Sequence, residues 1–137
     1  MKRQWFSLVI TLSFCIFFTS CAAFDPAVSE PPATAPEYIR LTPQQAQDMM
    51  SDDVIILDVR TQEEFSERRI KNALLLPVDE IEEKASSVIP DKNQTVLVYC
   101  RTGRRSEIAS RQLIEMGYTS VFDFGGIVDW TGAIVRR

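Results

Sequence analysis

The sequence predicts an α/β domain, a five-stranded parallel sheet with helices on both faces. Three observations carry that expectation. Short apolar runs, among them Val54–Leu57, Ala73–Leu76 and Val96–Val98, are continuous rather than alternating, as in strands covered on both sides. Between them lie segments whose apolar residues recur at helical spacing. Strand and helix patterns then alternate along the chain, which is the order that winds a parallel sheet. The 137 residues suffice for one domain with its own core.

Taken in order, residues 1–20 set Lys2 and Arg3 ahead of an apolar run from Trp5 to Phe18. The run is too short to span a bilayer comfortably, and small residues follow it, so it reads as an export signal. Phe18-Thr19-Ser20-Cys21 resembles the bacterial lipoprotein cleavage site, with Phe18 where leucine is usual. That resemblance makes Cys21 the lipidated first residue of an exported chain, tethered to a membrane surface in the periplasm or cell envelope. Residues 21–37 carry four prolines and no periodicity, a linker holding the domain clear of that surface.

The domain proper is expected over 38–137. Tyr38–Leu41 reads as a strand, and Thr42-Pro43 as the cap and first turn of a helix with Ala46, Met49 and Met50 on one face. Val54–Leu57 is a buried strand running to Asp58. Thr61-Gln62-Glu63-Glu64 is a capping box opening a short helix that buries Phe65, and Arg60 is placed to pair with Glu64. Ala73–Leu76 is another buried strand, stopped by Pro77. Asp79–Val88 is a helix with Ile81, Ala85 and Val88 inward, ended by Pro90. After the strand that ends at Cys100, Ser106–Met116 is amphipathic, and Ser120–Phe124 is the last strand. Gly125-Gly126 turn the chain into a terminal segment with Trp130 as a core plug.

The chemistry concentrates in Tyr99-Cys100-Arg101-Thr102-Gly103-Arg104-Arg105-Ser106. A strand, a short basic loop and a helix in such close succession point backbone N–H groups inward, and the helix dipole adds to them. Cys100 stands at the rim of this anion cradle with three arginines nearby. Both features favour thiolate over thiol. In open parallel sheets, ligands sit beyond the carboxyl ends of strands, where Cys100 and Asp58 both fall.

Composition narrows the field. With no histidine, a Ser-His-Asp triad, a Cys-His pair and histidine-bound zinc are all excluded. Three cysteines without a CxxC argue against a metal or iron–sulfur centre, and no cofactor is expected. Removing residues 1–20 leaves 13 basic against 19 acidic residues, a net of −6. Such a chain is a poor nucleic-acid ligand, and its arginine cluster suits a small anion.

Asp58-Val59-Arg60-Thr61-Gln62-Glu63-Glu64-Phe65, with Arg69-Ile70-Lys71-Asn72-Ala73, resembles the first signature of rhodanese domains. The Cys100 loop resembles their active-site loop, and Phe124-Gly125-Gly126-Ile127-Val128-Asp129-Trp130 their terminal element. Where that family commonly has Gly-His-Ile, this chain has Arg68-Arg69-Ile70. The resemblance implies a single rhodanese-like domain that transfers sulfur through a Cys100 persulfide. A small anionic donor such as thiosulfate and a thiol or cyanide acceptor would be its substrates. Within the loop, Arg101 is expected to steer the donor and Arg104 or Arg105 to dock it. Thr102 and its neighbours offer backbone N–H groups, and Gly103 supplies the turn. Ser106 reads either as a helix cap or as a substrate contact, and Asp58 and Arg60 as supports of the strand-to-helix turn.

Two rival readings stand beside this one. The related phosphatases and arsenate reductases place an arginine six residues after the cysteine, where this chain has Ser106 and its arginine one earlier. A non-catalytic rhodanese-like binding module is the other, although inactive modules usually lack the cysteine. Oligomeric state is not legible.

Overall fold

The computed structural model describes residues 37–137; the export signal, Cys21 and the linker through residue 36 lie outside the described residues. The elements in chain order are β1 (Ile39–Arg40), α1 (Pro43–Met49), β2 (Ile55–Asp58), α2 (Gln62–Glu67), β3 (Arg68–Ile70) and β4 (Leu74–Leu75). A 3₁₀ turn at Val78–Glu80 then leads into α3 (Ile81–Val88) and β5 (Val96–Cys100). α4 (Arg104–Glu115), β6 (Val121–Gly126), a 3₁₀ turn at Ile127–Asp129 and β7 (Ile134–Arg136) complete the chain. Five strands form one parallel sheet in the order β1-β6-β5-β2-β4. Among the described residues, no helix is long and apolar enough to cross a membrane.

The continuous apolar run of β5 is explained by its place at the centre of the sheet. Val96, Val98 and Cys100 face one way, into a core with Ile81 and Ala85 of α3 and Ala109 and Leu113 of α4. Leu97 and Tyr99 face the other, against Ala46, Ile70, Phe124, Ile127 and Trp130. Period-two alternation thus feeds two separate apolar layers, and neither face needs polar residues. The Phe124 ring centroid stands 5.4 Å from those of both Tyr99 and Trp130, so the expected aromatic plug is a stack of three.

Several local expectations are corrected. The run at Ala73–Leu76 is an edge strand with Leu74 44% exposed, because β4 pairs on one side only. Phe65 is only half-buried and lies beneath the Arg69 guanidinium, 4.9 Å from ring centroid to carbon. The helix expected from Asp79 begins as a 3₁₀ turn, and Ile89 rather than Val88 fills the core at its end. The helix after the loop starts two residues before Ser106. A second sheet, β3 paired antiparallel with β7, has no counterpart in the sequence pattern.

The join of β6 to the loop is unusually close. Pairing of β5 with β6 shifts register between Val98 and Cys100, so that Gly126 lies opposite Cys100. A Cβ at Gly126 would stand 2.5 Å from the Arg101 carbonyl oxygen and 2.8 Å from the Thr102 Cα. Those are backbone atoms of the loop and cannot swing aside. Gly126→Ala is therefore expected to cost about 1–3 kcal/mol by overpacking. Urea unfolding of the full chain measures it, and an unchanged midpoint would show that loop and strand part freely.

Candidate active site

β5 ends at Cys100 and α4 begins at Arg104, leaving three residues to reverse the chain. Gly103 makes this possible with φ +104°, a conformation that L side chains rarely adopt. Its N–H then points back at the sulfur and donates to Cys100 Sγ at 3.1 Å. Cys100 itself is only 1% exposed. Burial pushes its thiol up, but the N–H groups of Ser106, Gly103 and Thr102 outweigh burial and hold it below its ordinary value.

Ser106 is not the cap of the helix. Gly103 occupies that position, and Ser106 is fully buried one turn inside, its hydroxyl donating to the Gly103 carbonyl at 2.9 Å. The Gly125 carbonyl lies 3.3 Å from the same oxygen, so Ser106 ties loop, helix and β6 together. At the rim, Val78, Asp79, Thr102, Arg104, Arg105 and Ile108 line a cleft of about 400 Å³ that reaches Cys100. Arg104 and Arg105 thus share a cleft with the sulfur. Arg101 does not: it is exposed and lines an adjoining depression with Arg60, Glu64, Glu67 and Arg68. A larger hollow of about 500 Å³, lined by Ile56, Ile70 and Trp130 among others, shares no residue with the cleft and does not reach Cys100.

Beneath the loop runs a buried polar network. The Asp58 carboxylate accepts from Arg60 Nε at 2.9 Å and from the Arg60 backbone N–H at 3.0 Å, and the Tyr99 hydroxyl donates to it as well. Arg60 donates onward to the Arg68 carbonyl at 2.7 Å, and the Tyr99 oxygen accepts from the Ile70 N–H at 3.2 Å. Asp58 and Arg60 are 0% and 2% exposed, so neither faces the cleft. Burial and the neighbouring carboxylate push the Tyr99 phenol up, keeping it a donor. The residue just before Cys100 is in this way clamped to β3, and Asp58 and Arg60 lie beneath the loop as its support.

The expected Arg60–Glu64 pair does not form, because Asp58 holds Arg60. Glu64 instead accepts from both terminal nitrogens of Arg105, at 2.7 and 2.9 Å, while its capping role toward the Thr61 N–H persists at 3.2 Å. The sequence offers Glu64 a capping role and Arg60 as a partner, since nothing local marks a partner 41 residues away. A second unread element is Asp123, fully buried, which accepts from the Gly125 N–H at 2.9 Å and from Arg40 at 3.3 Å. It fixes the turn that brings Gly126 against the loop.

The Arg105 hydrogen bonds, ahead of the opposing cost of burial, hold the Glu64 carboxyl down at about 2. A carboxyl depressed on folding contributes stability above its unfolded pKa and loses it as pH falls through the folded value. Glu64→Gln is expected to lower stability at pH 7 by about 1–2 kcal/mol, allowing for partial solvent screening. The difference from wild type should fade between about pH 4.5 and pH 2, the span between the carboxyl's ordinary and folded values. Unfolding curves across that range check it; a deficit independent of pH would contradict the assignment.

Residues 42–133 match the model of the rhodanese-like domain. The chain is 42% identical over 73 residues to a thiosulfate sulfurtransferase, PspE, of Escherichia coli, covering 53% of this chain and 70% of that one. It is 37% identical over 79 residues to the thiosulfate sulfurtransferase GlpE of Coxiella burnetii, covering 57% and 72%. Among solved structures, a rhodanese with anions from E. coli superposes with TM-score 0.58 at 38% identity, over 61% of this chain and 98% of that one. A rhodanese-like domain protein from Staphylococcus aureus gives TM-score 0.63 at 29% identity, over 72% and 98%. On its loop, its sheet and these relatives together, the chain belongs to the rhodanese-like domain family.

Proposed function

We propose that this chain, a rhodanese-type sulfurtransferase, carries a sulfane sulfur from an anionic donor such as thiosulfate to a thiol or cyanide through a persulfide on Cys100. The observation that carries the reading is a buried sulfur facing the N–H groups of its own loop in a chain without histidine. A thiolate formed in this way needs no base to attack. It attacks the outer sulfur of thiosulfate, the S–S bond breaks, and its electron pair leaves with sulfite. The persulfide's terminal sulfur then bears the negative charge among the loop amides. An acceptor thiolate or cyanide attacks that terminal sulfur and expels the Cys100 thiolate, closing the cycle.

The rim divides the remaining work. Arg104, exposed in the same cleft, docks the sulfonate end of the donor, and Arg101 steers it from the adjoining depression. Two relatives named as thiosulfate sulfurtransferases support thiosulfate as the donor. A lipid on Cys21 would place the reaction at a membrane surface of the cell envelope.

Incubation with thiosulfate should add one sulfur atom to the peptide carrying Cys100, read by mass spectrometry, and Cys100→Ser should abolish both uptake and turnover. Failure to take up sulfur from thiosulfate or any persulfide would sink the reading and leave a binding module. For the tether, labelled fatty acid should enter the wild-type chain in bacterial cells but not Cys21→Ser. Equal labelling of the two would remove it.

A further inference from the structure

Arg105 has the Cys100 cleft on one side and a carboxylate on the other. On one side is Cys100, with which it shares the cleft and whose thiolate favours the charged guanidinium. On the other is Glu64, whose two oxygens take one N–H from each terminal nitrogen. This is the end-on bidentate geometry by which arginine grips a phosphate or sulfate. Glu64 occupies that edge itself. It is held in place from below by its own helix, accepting from the Thr61 N–H at the start of α2. The pair is only partly solvated, with side chains 30% and 25% exposed, so its charges are incompletely screened.

We propose that Glu64 is a positioning residue that sets which anions the Cys100 cleft accepts: it keeps the Arg105 guanidinium beside the sulfur while withholding its end-on fork from compact tetrahedral oxyanions. Inorganic phosphate or sulfate seated over the loop would meet an arginine already matched in charge and a carboxylate that repels a dianion. A donor that presents a single sulfur to the loop amides turns its sulfonate oxygens outward toward Arg104, farther from that carboxylate and without need of the fork. Selectivity among sulfur donors presupposes the proposed transfer reaction, whereas anion binding beside Cys100 does not.

The test is protection of Cys100 from iodoacetamide by inorganic phosphate, at constant ionic strength and neutral pH, resolved by mass spectrometry of the Cys100 peptide. Glu64→Gln retains an acceptor for the Thr61 N–H and removes the charge, so it frees the fork and should be protected at roughly tenfold lower phosphate than wild type. Adding Arg105→Gln should erase that gain. A residue that merely braced the loop would weaken anion binding when replaced, not tighten it. Equal protection of wild type and Glu64→Gln overturns the proposal, as does a gain that survives Arg105→Gln. Should Glu64→Gln not fold, Glu64→Asp withdraws the carboxylate by one methylene and should show a smaller gain in the same direction, and no gain there also overturns it. If the protection shifts as expected while no donor delivers sulfur, the role of Glu64 stands and the transfer reaction falls.

Discussion

A sulfur almost sealed from solvent can stay ionised only if something replaces the water it has lost. Here the replacement is main chain. The Cys100 side is set by β5, and the N–H groups that face it come from the three-residue reversal and the first turn of α4. Desolvation and hydrogen bonding pull the thiol in opposite directions, and the sign of the result rests on how well those few N–H groups are aimed. That aim is a backbone property, which explains where the surrounding structure spends its rigidity. Gly103 takes a left-handed conformation, Ser106 pins the loop to β6, and Gly126 lets β6 approach the loop more closely than any side chain would allow.

The charges around this centre are sorted by depth. Deepest lie Asp58 and Arg60, which satisfy each other and hold Tyr99 against β3. Ion pairs of this kind contribute little net stability, since desolvation offsets attraction, but removing one partner would leave a bare charge in the core. What they fix is the geometry of the strand end under Cys100. Higher up, Glu64 and Arg105 form a half-solvated pair at the wall of the cleft. Outermost are Arg101 and Arg104, both exposed to solvent. A net-acidic chain in this way keeps arginines around the mouth over a buried sulfur.

Features written in short range were legible in the sequence. The strand that ends at Cys100, the glycine turn, the Thr42-Pro43 cap and the Thr61–Glu64 capping box follow from local patterns, and the structure has each. What escaped was long-range. β3 and β7 are three residues each, charged, and joined only through pairing across more than sixty positions. Nothing in Arg68-Arg69-Ile70 announces a strand. Leu74 looked buried because apolar runs do not reveal whether a strand has one neighbour or two. Four-residue spacing offers Glu64 to Arg60, whereas Asp58, two residues before it and buried with it, takes its guanidinium. The placement of Arg101 outside the cleft likewise depends on the direction the chain takes after Cys100, which spacing alone leaves undetermined.

The chemistry of this site turns on the ionisation of one thiol. Its most direct measurement is the pH dependence of Cys100 alkylation, followed on the isolated Cys100 peptide and set beside a free cysteine under the same conditions. The loop amides predict a midpoint below that of the free thiol. A midpoint at or above it would mean that burial wins over the backbone, and that the loop does not hold a thiolate.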